Sequence, residues 1–218
     1  ASDVYKRQDE VGVLLKKFDA ISVRDANSGA IVEQLTEKKP VYNLDPVLTY
    51  DYMNCCDKIP QLRVDEKYLI LYAYAGRISN EEADWIAAYA KKKNLKVYAI
   101  GGIQKCADRF VDCSPFEVLA YFRNAEEVIT DTFHGSIFSV ITHRPFTTLI
   151  RKSVGNSYGN EEKLSDLLER LDLADRMTAK VEDAENINEE TIDYAKVDEL
   201  LKAHREVAKE YLRSNLEG

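Results

Sequence analysis

One histidine stands in a setting that suits proton transfer. His134 follows a predicted strand, precedes Gly135 and opens a predicted helix. An imidazole titrates near neutral pH, so it can give or take a proton there. The first turn of a helix presents N–H groups and partial positive charge, which favour phosphate or carboxylate, and a glycine lets a ligand approach the backbone closely. We therefore expect an anion-handling centre at residues 130–135, although a lone histidine is more often a hydrogen-bonded structural residue.

Three basic residues could serve the same anion. Arg24 ends the first predicted strand, and Arg151 and Lys152 follow the strand after the His134 helix. A guanidinium is always charged and can grip a carboxylate or phosphate bidentately. The alternatives are a surface salt bridge for Arg24 and a solvated basic pair for Arg151 and Lys152, which open a glycine-containing loop of the kind that often carries function.

Several other chemical motifs are absent from the sequence. Ser136 is not part of a G-x-S-x-G elbow, and neither a P-loop nor a G-x-G-x-x-G segment occurs. The four cysteines form no C-x-x-C pair, so we interpret them as small buried hydrophobic residues. No cluster of histidine, cysteine and carboxylate residues has the spacing of a metal site, and we expect neither a metal nor a cofactor.

The composition limits the class of partner. The chain has 218 residues, of which 45% are hydrophobic and 31% charged, and its formal net charge is -8. An acidic balance argues against general nucleic-acid binding, although a local basic pocket for an anionic substrate remains compatible with it. No apolar run reaches the roughly 18 residues of a membrane span, and no secretory signal is visible. The compartment we expect is the cytoplasm.

Strands and helices alternate along most of the chain. Residues 67–75 form the strongest predicted strand, and capping boxes at residues 79–82 and 114–117 open two helices. Further strands are predicted at 95–100, 127–130 and 146–150. This order predicts an α/β fold with a doubly wound, Rossmann-like parallel sheet, in which ligands bind beyond the carboxyl ends of the strands. Arg24 and residues 131–134 both lie at such strand ends.

The ends of the chain differ from its centre. Residues 1–8 carry no periodicity and resemble translated adapter sequence, so we expect a non-native leader there. Residues 9–180 are predicted to form the Rossmann-like domain. Residues 181–218 are predicted to form a helical extension, with one long helix or two over residues 188–216.

Three segments resemble one known family. Residues 127–139 (EVITDTFHGSIFS) resemble the signature of polysaccharide pyruvyl transferases. Residues 21–25 (ISVRD) resemble the strand-end arginine motif of that family, and residues 45–47 (DPV) resemble its short D-P-V element. The order and approximate spacing of the three segments agree, and the resemblance runs over about residues 20–176.

The resemblance implies a transferase that moves a pyruvyl group from phosphoenolpyruvate to sugar hydroxyls and gives a cyclic ketal. The implied fold is similar to the C-terminal domain of two-domain GT-B glycosyltransferases. His134 would bind the donor and act as general acid or base, and Arg24 would hold its phosphate or carboxylate. The other expected substrate contacts are Thr132, Phe133, Gly135, Ser136, Arg151 and Lys152. The implied partners are phosphoenolpyruvate, a glycan or polysaccharide acceptor, and the family's N-terminal domain.

The sequence departs from the family pattern in two ways. Some members have arginine two positions before the histidine, where this chain has Thr132, so that donor contact is either lost or supplied by Arg151 or Lys152. The family's N-terminal domain, with its glycine-aspartate loop, is missing, so we expect the C-terminal half of a truncated gene product, which could be inactive alone. Two alternatives stay open: a GT-B-type glycosyltransferase domain that uses a nucleotide-sugar donor, and a non-catalytic binding domain.

Overall fold

A computed structural model describes residues 2–152 and 160–216, with side chains described from residue 9 onward. By its contacts the chain divides into two compact units. The first, here the terminal unit, comprises Ala1–Tyr50 and Ala195–Gly218, and the second, here the sheet unit, comprises Asp51–Tyr194. The boundaries expected after residues 8 and 180 stay predictions.

The elements follow one another in an alternating order. In chain order they are α1 (Ser2–Leu15), β1 (Ser22–Val23), α2 (Ala26–Thr36), β2 (Val41–Tyr42), α3 (Pro46–Thr49), α4 (Tyr52–Cys55), β3 (Tyr68–Tyr72), α5 (Asn80–Lys92), β4 (Lys96–Ile100), β5 (Arg109–Phe110), α6 (Pro115–Asn124), β6 (Glu127–Thr130), α7 (Phe133–Ile141), β7 (Phe146–Leu149), α8 (Glu161–Arg170), β8 (Met177–Thr178), α9 (Ala184–Glu189) and α10 (Tyr194–Leu216).

The sheet unit contains a six-stranded sheet in the order β5-β4-β3-β6-β7-β8. Every neighbouring pair in this sheet is parallel. Strands β4 and β5 follow β3 on one side of the sheet, and strands β6, β7 and β8 then follow on its other side. This reversal between β3 and β6 is the topological switch point, where ligands of doubly wound folds bind.

Helices cover both faces of that sheet. Successive side chains of a strand point to opposite faces. Leu71 of β3 belongs to a buried cluster with Ile86 of α5. Tyr72, the next residue, instead packs edge-on against Phe122 of α6 and Phe138 of α7, with ring centroids 5.8 and 5.9 Å apart. The predicted doubly wound α/β fold is therefore confirmed.

The helix starts follow the capping chemistry in the sequence. The backbone N–H of Ser79 donates to Glu82 Oε2 over 2.9 Å at the start of α5, and the N–H of Ser114 donates to Glu117 Oε2 over 2.8 Å at the start of α6. These reciprocal contacts satisfy amides that lack partners within the helix. Both predicted capping boxes are confirmed.

The terminal unit has a smaller sheet of its own. Strands β1 and β2 form a parallel pair separate from the six-stranded sheet. The strands within residues 9–180, where one Rossmann-like domain is predicted, therefore divide between two sheets. Within the same unit, the Arg205 Nε of α10 donates to the carbonyl oxygen of Leu48 over 2.9 Å. None of the described helices is long and apolar enough to cross a membrane.

Candidate functional site

The turn between β6 and α7 is held by threonine hydroxyls. Thr130 Oγ1 donates to the carbonyl oxygen of Tyr72 over 2.7 Å, which ties the end of β6 to the end of β3. The same oxygen accepts the backbone N–H of Thr132 over 3.0 Å. Thr132 in turn caps α7, because its Oγ1 accepts the N–H of Gly135 over 2.9 Å. The helix therefore begins at Phe133, one residue before His134.

Close packing explains the glycine and serine that follow the histidine. A Cβ on Gly135 would lie 2.0 Å from Thr130 Oγ1, so the absent side chain makes room for Thr130. Ser136 is fully buried, and its hydroxyl lies 2.8 Å from Thr148 Oγ1. The structure thus gives an intramolecular reason for glycine at position 135, and the close ligand approach expected there stays a prediction. The substrate contacts of Thr132 and Ser136 stay predictions, and the structure gives both side chains a packing role.

His134 occupies the second position of α7 and is half-buried. The rings of Phe133 and Phe138 flank it, with centroids 5.8 and 5.9 Å from the imidazole. Phe133 is itself buried. The two phenylalanines restrict the imidazole from two sides while its position in the first turn keeps it at the carboxyl edge of the sheet. A proton carried by this ring can therefore be delivered to a ligand at that edge.

Arg151 and Lys152 line a cavity together with Asp131 at the carboxyl edge of the sheet. The cavity measures about 340 Å³ and is lined by Arg77, Asp131, Ile150, Arg151 and Lys152. These residues follow β3, β6 and β7. Strands β3 and β6 flank the switch point, and β7 is the next strand beyond β6. Three cationic side chains around one small cavity favour an anionic ligand.

Asp131 is the buried member of this group. It is fully buried, and this burial raises the pKa of its carboxyl, while the guanidinium groups of Arg77 and Arg151 oppose that rise. The carboxylate of Glu82 adds to the rise, since two negative charges repel each other. Asp131 lies three residues before His134, so the buried acid and the half-buried imidazole belong to one turn of the chain.

Two further side chains fix the position of Arg151. Its Nη1 donates to Glu82 Oε1 over 2.6 Å, and Glu82 uses its other oxygen for the capping box of α5. Its backbone N–H donates to Asn160 Oδ1 over 2.6 Å. The Nδ2 of Asn160 donates to the carbonyl oxygen of Asp131 over 2.7 Å. Arg151 and Asp131 are thus joined through one buried amide.

Arg24 belongs to the terminal unit and has a carboxylate partner there. Its Nη1 lies 2.7 Å from Asp45 Oδ2, and its Nε lies 3.9 Å from Asp25 Oδ2. Asp45 is buried and also accepts the N–H of Val47, so it caps α3. The arginine segment and the D-P-V segment singled out in the sequence are thus linked by one ion pair. The contact of Arg24 with a donor stays a prediction.

The structure gathers some of the expected residues and adds others. Arg151 and Lys152 share the cavity, whereas His134 and its neighbours form the adjacent helix start. Sequence reasoning did not single out Arg77, Glu82 and Asn160. Glu82 left a local signal in the sequence, its capping box. Its contact with Arg151 spans 69 positions of the chain, so no local pattern could reveal it.

A larger cavity lies elsewhere in the sheet unit. It measures about 660 Å³ and surrounds the amino ends of β3 and β4, where Lys67, Lys96 and Asp108 line it. Ligands of parallel sheets bind at the carboxyl ends of the strands, whereas this cavity lies at their amino ends. We therefore place the candidate site at the smaller cavity.

Comparison with known proteins adds one family. A family model described as polysaccharide pyruvyl transferase matches residues 5–153, more than half of the chain. A search of curated proteins finds no match.

Several solved structures are similar to the chain at low identity. The wall teichoic acid polymerase TagF is 14% identical, with 97% of this chain and 56% of that chain covered and a TM-score of 0.48. The glycotransferase of kitacinnamycin is 9% identical, with 75% and 46% covered and a TM-score of 0.48. An O-GlcNAc transferase from Thermobaculum terrenum is 15% identical, with 84% and 38% covered and a TM-score of 0.42. The chain thus spans about half the length, or less, of these three proteins.

Proposed function

Because the chain belongs to the polysaccharide pyruvyl transferase family, we propose that it transfers the pyruvyl group of phosphoenolpyruvate to hydroxyls of a glycan or polysaccharide precursor. The observation that carries this proposal is the placement of His134. Its half-buried ring lies in the first turn of α7, at the sheet edge that also bears the cavity of Arg77, Arg151 and Lys152. A proton donor and an anion-binding group are what this donor requires.

The proposed reaction balances as follows. A proton is added to the methylene carbon of phosphoenolpyruvate and makes it a methyl group. Two hydroxyls of one sugar form C–O bonds to the adjacent carbon, and the bond from that carbon to the phosphate oxygen breaks. The two hydroxyl protons replace the proton used and protonate the released phosphate. The products are a cyclic ketal bearing a carboxylate and hydrogen phosphate.

Each step assigns a task to a residue of the chain. The imidazolium of His134 supplies the proton to the methylene carbon, and the neutral imidazole can afterwards accept a hydroxyl proton. Arg151, Lys152 and the first-turn amides of α7 attract the phosphate and carboxylate. The contact of Arg24 with the donor stays a prediction from the sequence.

Donor protection tests the proposal. Thermal unfolding of the full chain is measured with phosphoenolpyruvate and, separately, with a nucleotide diphosphate. Because a ligand that binds the folded state stabilises it, the proposal predicts a concentration-dependent rise in Tm with phosphoenolpyruvate. A rise with the nucleotide diphosphate alone would favour a glycosyltransferase that uses a nucleotide-sugar donor. Protection by a glycan alone would favour a binding domain.

A further inference from the structure

The small cavity at the switch point contains a carboxylate that the proposed transfer does not use. Asp131 lines it together with Arg77, Arg151 and Lys152, and Asp131 is fully buried. Neither of its carboxylate oxygens has a hydrogen-bond partner among the described residues. A buried carboxylate without hydrogen bonds is costly, so it either gains a partner or takes a proton.

The guanidinium of Arg151 lines the same cavity and has hydrogen-bond donors that a ligand could use. Glu82 occupies its Nη1, at 2.6 Å. The Nε and Nη2 atoms are buried and have no hydrogen-bond partner within the described chain. These two nitrogens form one edge of the guanidinium, which is the edge that binds two oxygens of a phosphate or carboxylate at once. Glu82 therefore acts as a positioning residue that leaves this edge available.

The charges around the cavity favour an anion once one proton is added. Arg77, Arg151 and Lys152 contribute three positive charges. Asp131, Glu82 beside Arg151, and Glu161, which lies 4.0 Å from Lys152, contribute three negative charges, so the net charge of this group is zero. Protonation of Asp131 raises the net charge to +1, which attracts an anion. The protonated carboxyl can then donate a hydrogen bond to an oxygen of that anion.

We infer that Arg77, Asp131, Arg151 and Lys152 form a subsite for a phosphate-type dianion, and that Asp131 takes up a proton when the anion binds. We call these four residues the anion subsite. This inference extends the proposed function. It rests on that function only for the identity of the natural ligand, which is the phosphate ester of the donor. The subsite distinguishes a dianion from a neutral sugar, because a sugar hydroxyl would bind without proton uptake.

The pH dependence follows from the groups that face Asp131. Burial raises the pKa of its carboxyl, and Glu82 acts in the same direction, whereas Arg77 and Arg151 act against it. A bound dianion adds negative charge beside the carboxyl and raises its pKa further. Binding of a dianion should therefore weaken as pH rises, since the proton becomes harder to obtain.

Calorimetric titration of the full chain with sulfate tests this inference. Sulfate stays a dianion near neutral pH and exchanges no protons itself. Heats are compared in two buffers of different ionisation enthalpy at the same pH and ionic strength. We expect uptake of about one proton per sulfate bound, by linkage between proton and anion binding. Saturable sulfate binding without proton uptake would overturn the inference, as would the absence of binding.

Two variants assign the proton and the anion contact. Asp131→Asn keeps a hydrogen-bond donor and cannot take up a proton, so it should bind sulfate without proton uptake and without the loss of affinity at higher pH. Proton uptake that persists in this variant would overturn the assignment. Arg151→Ala should weaken sulfate binding by about tenfold or more. If Asp131→Asn does not fold, the proton count of the unaltered chain and the Arg151→Ala variant still decide the matter.

Competition identifies the source of the dianion and separates the two proposals. Displacement of sulfate by phosphoenolpyruvate supports the donor ester as ligand, and displacement by inorganic phosphate alone supports the free ion. Displacement by neither overturns the subsite. Sulfate binding with proton uptake but no protection by phosphoenolpyruvate would sustain the subsite and reject the transfer. Protection by phosphoenolpyruvate without proton uptake on sulfate binding would sustain the transfer and reject the subsite.

Discussion

The side-chain amide of Asn160 donates to the carbonyl oxygen of Asp131 over 2.7 Å, although the two residues lie 29 positions apart. The same Nδ2 donates to Leu149, and the Oδ1 accepts the backbone N–H of Arg151. One buried side chain thus fixes the ends of β6 and β7 relative to each other. The geometry of the anion subsite depends on this amide.

Asn160→Ala should destabilise the chain. The change removes three hydrogen bonds and leaves two carbonyl oxygens and one N–H unsatisfied in a buried setting. We expect the free energy of unfolding to fall by about 2–4 kcal/mol, measured by urea denaturation. The control is Asn54→Ala, which alters an exposed asparagine and should cost less than about 0.5 kcal/mol. Equal effects of the two changes would contradict the role of Asn160.

Glu82→Gln should separate the ion pair from the capping box. Glutamine preserves the reciprocal cap of a helix, so the change removes chiefly the negative charge opposite Arg151. Because the pair is partly shielded from solvent, we expect a loss of about 1–2 kcal/mol in the free energy of unfolding. Glu117→Gln in the capping box of α6 is the matched control and should cost under about 0.5 kcal/mol. A loss in Glu117→Gln as large as that in Glu82→Gln would show that capping alone is responsible.

Gly135→Ala should disturb the start of α7. The new Cβ would lie 2.0 Å from Thr130 Oγ1 and 2.7 Å from Thr130 Cβ, so the turn must shift. We expect the free energy of unfolding to fall by about 2–3 kcal/mol, measured by urea denaturation. Gly76→Ala is the comparison, since a Cβ added there would have no described atom within 4 Å beyond its chain neighbours, and its φ of +78° opposes a side chain. That change should cost about 1 kcal/mol, and a larger loss at Gly76 than at Gly135 would contradict the packing argument.

His134→Ala should remove transfer and leave the fold intact. Loss of a positioned proton donor reduces turnover by about 100-fold or more. The side chain is half-buried and its capping neighbours remain, so the circular dichroism spectrum should not change. Turnover is measured as phosphate released from phosphoenolpyruvate, and His204→Ala on α10 serves as the control. Transfer retained by His134→Ala at the level of His204→Ala would remove the histidine from the mechanism.

Much of the fold could be predicted because its signals are local. Strand β6 occupies the predicted residues, Glu127–Thr130, and the two capping boxes begin α5 and α6 as expected. A continuous apolar strand and a serine three residues before a glutamate are each visible within a few positions. The two-residue strands β5 and β8 were not predicted, because neither lies within a longer apolar segment of the sequence.

The candidate site was less visible because its contacts are distant along the chain. The histidine, the turn around it and the basic pair after β7 could be chosen from residue type and position. The burial of Asp131 and the approach of Arg77 depend on the pairing of β3 with β6, which no local pattern reveals. The contact of Arg24 with Asp45 joins two segments that the sequence had marked separately.

Backbone amide shifts test most directly where the donor binds. The isotope-labelled chain is titrated with phosphoenolpyruvate, and the amide resonances are followed by two-dimensional NMR. We expect the largest saturable shifts on residues 131–135 and 151–152, at the carboxyl edge of the sheet. Largest shifts around Lys67, Lys96 and Asp108, which line the larger cavity at the opposite edge, would contradict it.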